Sequence, residues 1–242
     1  MRKAGIFSLL EGEMAVLDYV KNNYLSLKEE IDRLGKEAGR EVTLVAVTKS
    51  GSDEELIALA EAGVTDIGEN RPGELRRRGD LLRGLGYSPR LHEIGNLQRN
   101  KVKLIIEGVE LIHSLDSIAL AEEINKQAER IGRTVPVLIE INSAREEQKG
   151  GVLPEAAEEF YLKLKELSHL EVIGLMTMGP VCDDAEDLRP YFRETKKLFD
   201  RLNRIYGFPD GGILSMGMSD SYKVAIEEGS TLVRVGRRLF SR

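Results

Sequence analysis

The sequence predicts a single α/β domain, a (β/α)8 TIM barrel over residues 1–242, in which 1–40 form an extra N-terminal helical segment and 41–242 the barrel. Three observations predict it. Beyond Gly39, short β-branched apolar runs alternate with stretches of helical periodicity, as repeated βα units do. Eight such runs can be counted, and 242 residues hold eight units in one barrel without remainder. Two units also echo each other: LIALAEAGVTDIGEN (56–70) and YKVAIEEGSTLVRVG (222–236) both run helix, glycine, spacer, strand, glycine. An open doubly wound sheet is the alternative, and the lack of a Gly-rich dinucleotide loop after the first strand weighs against it.

Taken in order, Leu17, Val20, Tyr24, Leu27, Ile31 and Leu34 recur at steps of three and four, the apolar stripe of an amphipathic helix that Gly39 stops. Strands are expected at 43–49, 66–69, 91–95, 111–115, 135–142, 171–178, 213–217 and 232–236. The helix after the first strand opens with Ser52-Asp-Glu-Glu55, a capping box, and closes at Gly63. Others are expected near 117–131, 154–168, 187–206 and 219–228.

Composition narrows the function. A net charge of -6 argues against non-specific nucleic-acid binding, and the one basic cluster, Arg76-Arg77-Arg78, suits a solvated helix face. With Cys182 alone there is no intrachain disulfide and no cysteine-rich zinc site. Glu11 and Glu13 interrupt the early apolar stretch before it becomes a signal sequence, and no run approaches the length of a membrane span. A cytoplasmic protein is the expectation.

In such a barrel the chemistry gathers at the carboxyl ends of the strands. There the predicted strands present Lys49, Glu69-Asn70, Gly95-Asn96, His113-Ser114, Asn142, Met176-Thr177-Met178, Ser215 to Ser219 and Arg234-Val235-Gly236. Lys49 shares a strand face with Val45 and Val47, so it points where the interior valines point, one level higher. Desolvated at a barrel mouth, such a lysine offers free amine for a Schiff base; solvated, it is a strand cap. In SMGMSDSYKVAIEEG (215–229), Ser219 suits an N-cap, and the helix start behind it suits either a phosphate or nothing but a capped helix. Arg234 lies within the apolar run LVRVG and needs a carboxylate or a ligand. His92 and His113 either orient a ligand or are hydrogen-bonded core residues, and the methionines 176, 178, 216 and 218 suit core filling near the mouth.

Together the ordered motifs AVTK (46–49), GEN (68–70), HEIGNLQRNKVK (92–103), IHSLDS (112–117), GLMTMGP (174–180) and LSMGMSDSYKVAIEEGSTLVRVG (214–236) resemble the YggS/PROSC family of pyridoxal-phosphate homeostasis proteins, over residues 14 to 240. The resemblance implies a barrel similar to the N-terminal domain of alanine racemase, the type III pyridoxal-phosphate fold, with pyridoxal 5'-phosphate (PLP) joined to Lys49 as a Schiff base. It implies that Asn70 lies near the cofactor and that Ser215 and Ser219, with backbone N–H groups beside them such as that of Met216, hold the phosphate. It also implies that Arg234 approaches the pyridine nitrogen and that Gly236 admits the phosphate. The chain departs from the family pattern at Arg71, where a tyrosine is usual, and at Arg237, where a small hydroxyl residue is usual. Arg237 either replaces that phosphate contact with a charged one or points away.

Three functions fit. The resemblance implies a PLP-binding protein of intracellular PLP homeostasis without robust catalysis, a monomer whose partners are PLP, amino acids or PLP-dependent enzymes. A small PLP-dependent amino-acid racemase is the second. A Schiff-base aldolase acting on a phosphorylated substrate is the third, since a strand-end lysine and a phosphate site suit it as well.

Overall fold

The computed structural model describes the backbone of residues 2–242 and the side chains from residue 17 onward. Helix α1 (Arg2–Glu37) leads into eight strands: β1 (Thr43–Val47), β2 (Asp66–Glu69), β3 (Arg90–Glu93), β4 (Leu111–Leu115), β5 (Val135–Glu140), β6 (Leu170–Met176), β7 (Ile213–Ser215) and β8 (Leu232–Val235). They pair in parallel in sequence order, and β8 pairs with β1 to close the barrel. The predicted segment 1–40 is largely α1, apart from Met1, which lies outside the described residues.

Helices α2 (Asp53–Glu61), α3 (Pro72–Gly84), α4 (Val102–Ile105), α5 (Ile118–Arg130), α6 (Ala157–Leu164), α7 (Arg189–Tyr206), α8 (Tyr222–Glu227) and α9 (Arg237–Phe240) follow the strands in turn. Local chemistry explains their starts. Ser52 Oγ accepts the Glu55 N–H at 3.2 Å and Glu55 returns the contact to the Ser52 N–H at 2.6 Å, so the capping box is formed. Pro72 opens α3, where its missing N–H costs nothing.

Strand alternation splits the core in two. A large apolar layer, with Leu44, Ala46, Ile67, Ile112, Val137 and Val233, lies between strands and helices. A small plug of Val45, Leu111, Leu138, Met176 and Leu232 fills the lumen. The expected strands are all present, but several end earlier than expected, β1 at Val47 and β7 at Ser215, so the tip residues sit in loops over the mouth.

Two expectations are corrected here. Helix α8 begins at Tyr222, and its N-cap is Ser221 rather than Ser219. Arg76 and Arg77 are solvated as expected, but Arg78 is buried and donates to Thr48 O at 2.6 Å and Gly51 O at 2.7 Å, which staples the loop that carries Lys49.

Candidate functional site at the barrel mouth

Lys49 lies in the turn between β1 and α2, two residues beyond the last residue of β1. Its side chain is exposed at the rim, so the desolvation expected of it is absent from this structure. With Ser50, Glu69, Asn70, Arg71, Glu74 and Arg78 it lines a cavity of about 330 Å³. Thr48 beside it is fixed from below: its hydroxyl donates to Glu69 Oε1 at 2.6 Å, and the same oxygen lies 3.2 Å from Arg78. Burial raises the Glu69 carboxyl above its ordinary range, opposed by that hydroxyl and by the Arg78 charge. A second cavity, about 370 Å³, lies on the flank between α3 and α4, lined by Leu75, Arg83, Leu104 and Val109 among others, and contains none of the expected residues.

Barrel closure sets Arg234 beside this loop. Arg234 pairs in register with Val45, so on the neighbouring strand it lies one lumen-facing level below Val47, with the turn that carries Lys49 beyond the strand end. Gly236 makes the approach possible, because a Cβ there would lie 2.9 Å from Val47 O and 3.2 Å from Val47 Cβ. The absence of a side chain at Gly236 is thus needed for packing against β1. The Arg234 side chain is 4% exposed. Its guanidinium donates to Ser215 Oγ and, at 3.2 Å, to Thr177 O. Burial lowers its pKa to about 10, with Glu140 acting the other way, so it stays cationic near neutrality. Glu140, half-buried at the end of β5, is pushed up to about 7 by burial and by Asp116, against the pull of Arg234.

The remaining expected residues separate. Asn70 is exposed on the rim, in the loop next to Lys49. Ser219 Oγ accepts the Gly236 N–H at 3.3 Å, which ties the loop after β7 to the end of β8. Ser215 is wholly buried and engaged with Arg234 and His113, so it points down the lumen rather than out toward a phosphate. Met216 is a core residue: its side chain is buried in the outer layer, its N–H bonds Leu232 O and its carbonyl accepts from Ser230 Oγ. Both backbone groups are already used. Arg237 is exposed and ion-paired with Asp220. His92 and His113 are buried and hydrogen-bonded to each other at 3.0 Å.

Residues 23–241 match the family of the alanine racemase N-terminal domain. A pyridoxal phosphate homeostasis protein of Aquifex aeolicus is 42% identical over 88% of this chain and 93% of its own. The chain belongs to the pyridoxal phosphate homeostasis protein family. A Helicobacter pylori member is 37% identical over 93% of this chain and 99% of its own. Among solved structures, PipY of Synechococcus elongatus with PLP bound superposes with a TM-score of 0.79 at 27% identity, over 92% of this chain and all of PipY. The fold expected from the sequence is therefore the one found. Sequence reasoning about this homeostasis-family barrel missed Arg78, Glu93 and Glu140, since nothing local marks a buried arginine or glutamate until its neighbours are known.

Proposed function

We propose that this chain binds PLP at the barrel mouth as a PLP homeostasis protein, with Lys49 joined to the cofactor aldehyde as a Schiff base. One observation carries the reading: the β1–β8 closure sets an amine-bearing loop above a buried, cationic Arg234. The donor set suits the group, with an amine for the aldehyde and a guanidinium for the ring nitrogen. Asn70 would lie at the cofactor's edge. The phosphate would lie over the loop after β7 and the end of β8, which Ser219 and Gly236 join. Ser219 and Gly236 remain candidate contacts there, and Arg237 would reach the phosphate by releasing Asp220.

When bound, PLP supplies an electrophilic carbonyl and an electron-withdrawing ring. An arginine at the ring nitrogen disfavours its protonation and weakens that electron sink, a restraint that racemases of this fold share. The whole chain would act as one PLP-binding domain and as a cytoplasmic monomer. Its further partners would be amino acids or PLP-dependent enzymes.

The test is the visible spectrum of the protein with PLP before and after borohydride reduction, followed by mapping of the modified peptide. The label is expected on Lys49, and Lys49→Ala is expected to lose the absorbance while keeping its far-UV circular dichroism. A label on another lysine would overturn the assignment. Incubation of the PLP-loaded protein with L-alanine in deuterated water is expected to give no sustained exchange at the α-carbon; steady turnover would favour the racemase.

A further inference from the structure

A line of polar side chains threads the barrel from its amino-terminal end to Arg234. Arg90 and Asp66, the first residues of β3 and β2, form a two-point ion pair at 2.7 and 2.6 Å. Asp66 Oδ1 lies 2.9 Å from His92 Nε2, and His92 Nδ1 lies 3.0 Å from His113 Nε2. His113 Nδ1 lies 3.0 Å from Ser215 Oγ, which also takes the Arg234 guanidinium. Since β4 and β7 are not neighbours in the barrel, the step from His113 to Ser215 crosses the lumen. All five members between the two ends, counting Asp66 and Arg234 themselves, are buried.

The carboxylate sets the direction of every bond when each imidazole carries one proton. An ionised carboxylate only accepts, so His92 carries its proton on Nε2 and donates it to Asp66. His92 Nδ1 is then bare and accepts from His113 Nε2, which leaves His113 Nδ1 bare and accepting from the Ser215 hydroxyl. Ser215 Oγ keeps a lone pair for the Arg234 guanidinium, which only donates, so the cationic end agrees with the anionic one. The charges of Asp66 and His113 suit this order. Burial opposes the charge on Asp66, yet hydrogen bonds from His92, Arg90 and Thr65 hold its carboxyl well below the usual range. Burial, with His92 and Arg234 nearby, holds His113 well below its ordinary value and so neutral.

We propose that Asp66 is a remote positioning residue for Arg234, acting through a one-way relay of His92, His113 and Ser215 that fixes one tautomer at each imidazole and holds the guanidinium under the mouth. The relay also strengthens its own last link, because each bond polarises the next toward the carboxylate and makes Ser215 Oγ a better acceptor. Its consequence for cofactor binding rests on the reading that Arg234 meets the PLP ring nitrogen. The relay itself does not depend on that reading.

Nitrogen-15 NMR of the full, PLP-free chain tests the relay alone, with His169→Gln used to assign the third imidazole. His92 and His113 are expected to be protonated at Nε2 and bare at Nδ1, and the Arg234 side-chain Nη signals to be separate because rotation is hindered. Ser215→Ala is expected to release the His113 tautomer, and Asp66→Asn to merge the Arg234 signals. A proton on His113 Nδ1 in the parent protein would overturn the proposal, as would unchanged Arg234 signals in both variants. Should Asp66→Asn fail to fold by circular dichroism, Ser215→Ala carries the same readout. PLP titration then tests the consequence: both variants are expected to bind about tenfold more weakly, the effect of one charge-assisted hydrogen bond. Normal tautomers in a parent protein that binds no PLP would sink the functional reading and leave the relay standing.

Discussion

Glu93 is fully buried at the end of β3, where Oε1 accepts the Gly95 N–H at 3.0 Å and Oε2 has no partner. Burial pushes its pKa from 4.5 up to about 8, and the nearby Glu69 pushes the same way against the Gly95 contact. The folded chain therefore keeps a proton on Glu93 across a window in which the unfolded chain has released it. By linkage this raised group favours folding below its unfolded pKa, and that contribution is lost as pH rises through the folded value. Stability should decline between about pH 4.5 and about 8 on account of this residue. Glu93→Gln cannot ionise, so it is expected to flatten the decline and to exceed the parent by about 1–3 kcal/mol at alkaline pH. Urea unfolding across that range checks it, and parallel slopes for the two proteins would refute the assignment.

The loops that shape the mouth are pressed together element by element. A Cβ on Gly95, in the loop after β3, would lie 2.3 Å from Asn70 O and 2.7 Å from Asn70 Cα, in the loop after β2. Both offending atoms belong to backbone, so a side chain there has no flexible neighbour to displace. Ser114 Oγ further ties Gly95 O to the end of β4. Gly95→Ala is expected to cost about 1–3 kcal/mol, the usual range for overpacking. It should also push Asn70 away from Lys49 and weaken PLP binding. Paired measurements of the denaturation midpoint and the PLP dissociation constant check this. A variant as stable as the parent would show that the Asn70 loop yields freely.

At the scale of the molecule, α1 lies against α2, α8 and α9 with Val20, Tyr24, Leu27 and Ile31 buried beneath it. Glu30 of α1 pairs with Lys223 of α8 at 2.7 Å and with Arg238 of α9 at 3.1 Å. These helices flank β8, so α1 covers the outside of the seam where the barrel closes and Arg234 comes up beside β1. Leu27→Ala should cost about 2–5 kcal/mol, as for other buried leucines. The folded fraction should keep its PLP affinity, because Leu27 packs in the outer apolar layer and lines neither the lumen nor the cavity beside Lys49. Chemical denaturation followed by both helical signal and cofactor absorbance checks it; an unchanged midpoint would mean that α1 unfolds apart from the barrel.

Order and type of most elements were legible locally: the eight strand signals, the capping box at Ser52 and the amphipathic stripe of α1 are all written between near neighbours and all recur in the structure, with several strands shortened at their carboxyl ends. Helix α3 was less legible, because PGELRRRGDLLRG is dominated by charge and its buried face holds only Leu75, Arg78, Gly79 and Leu82. Lys49 and Arg234 could each be singled out as polar groups at apolar strand ends, yet neither strand says what the other brings. Closure decided that, by pairing β8 with β1. Tertiary structure also decided which polar residues are spent on one another: Ser215 and Met216 turned from expected phosphate contacts into a lumen relay member and a core residue, and Arg78 left the solvated face for a loop staple. The physical reason is that periodicity is written between near neighbours, whereas the partner of a buried hydrogen-bonding group is chosen by strands far apart in sequence that meet only when the barrel closes.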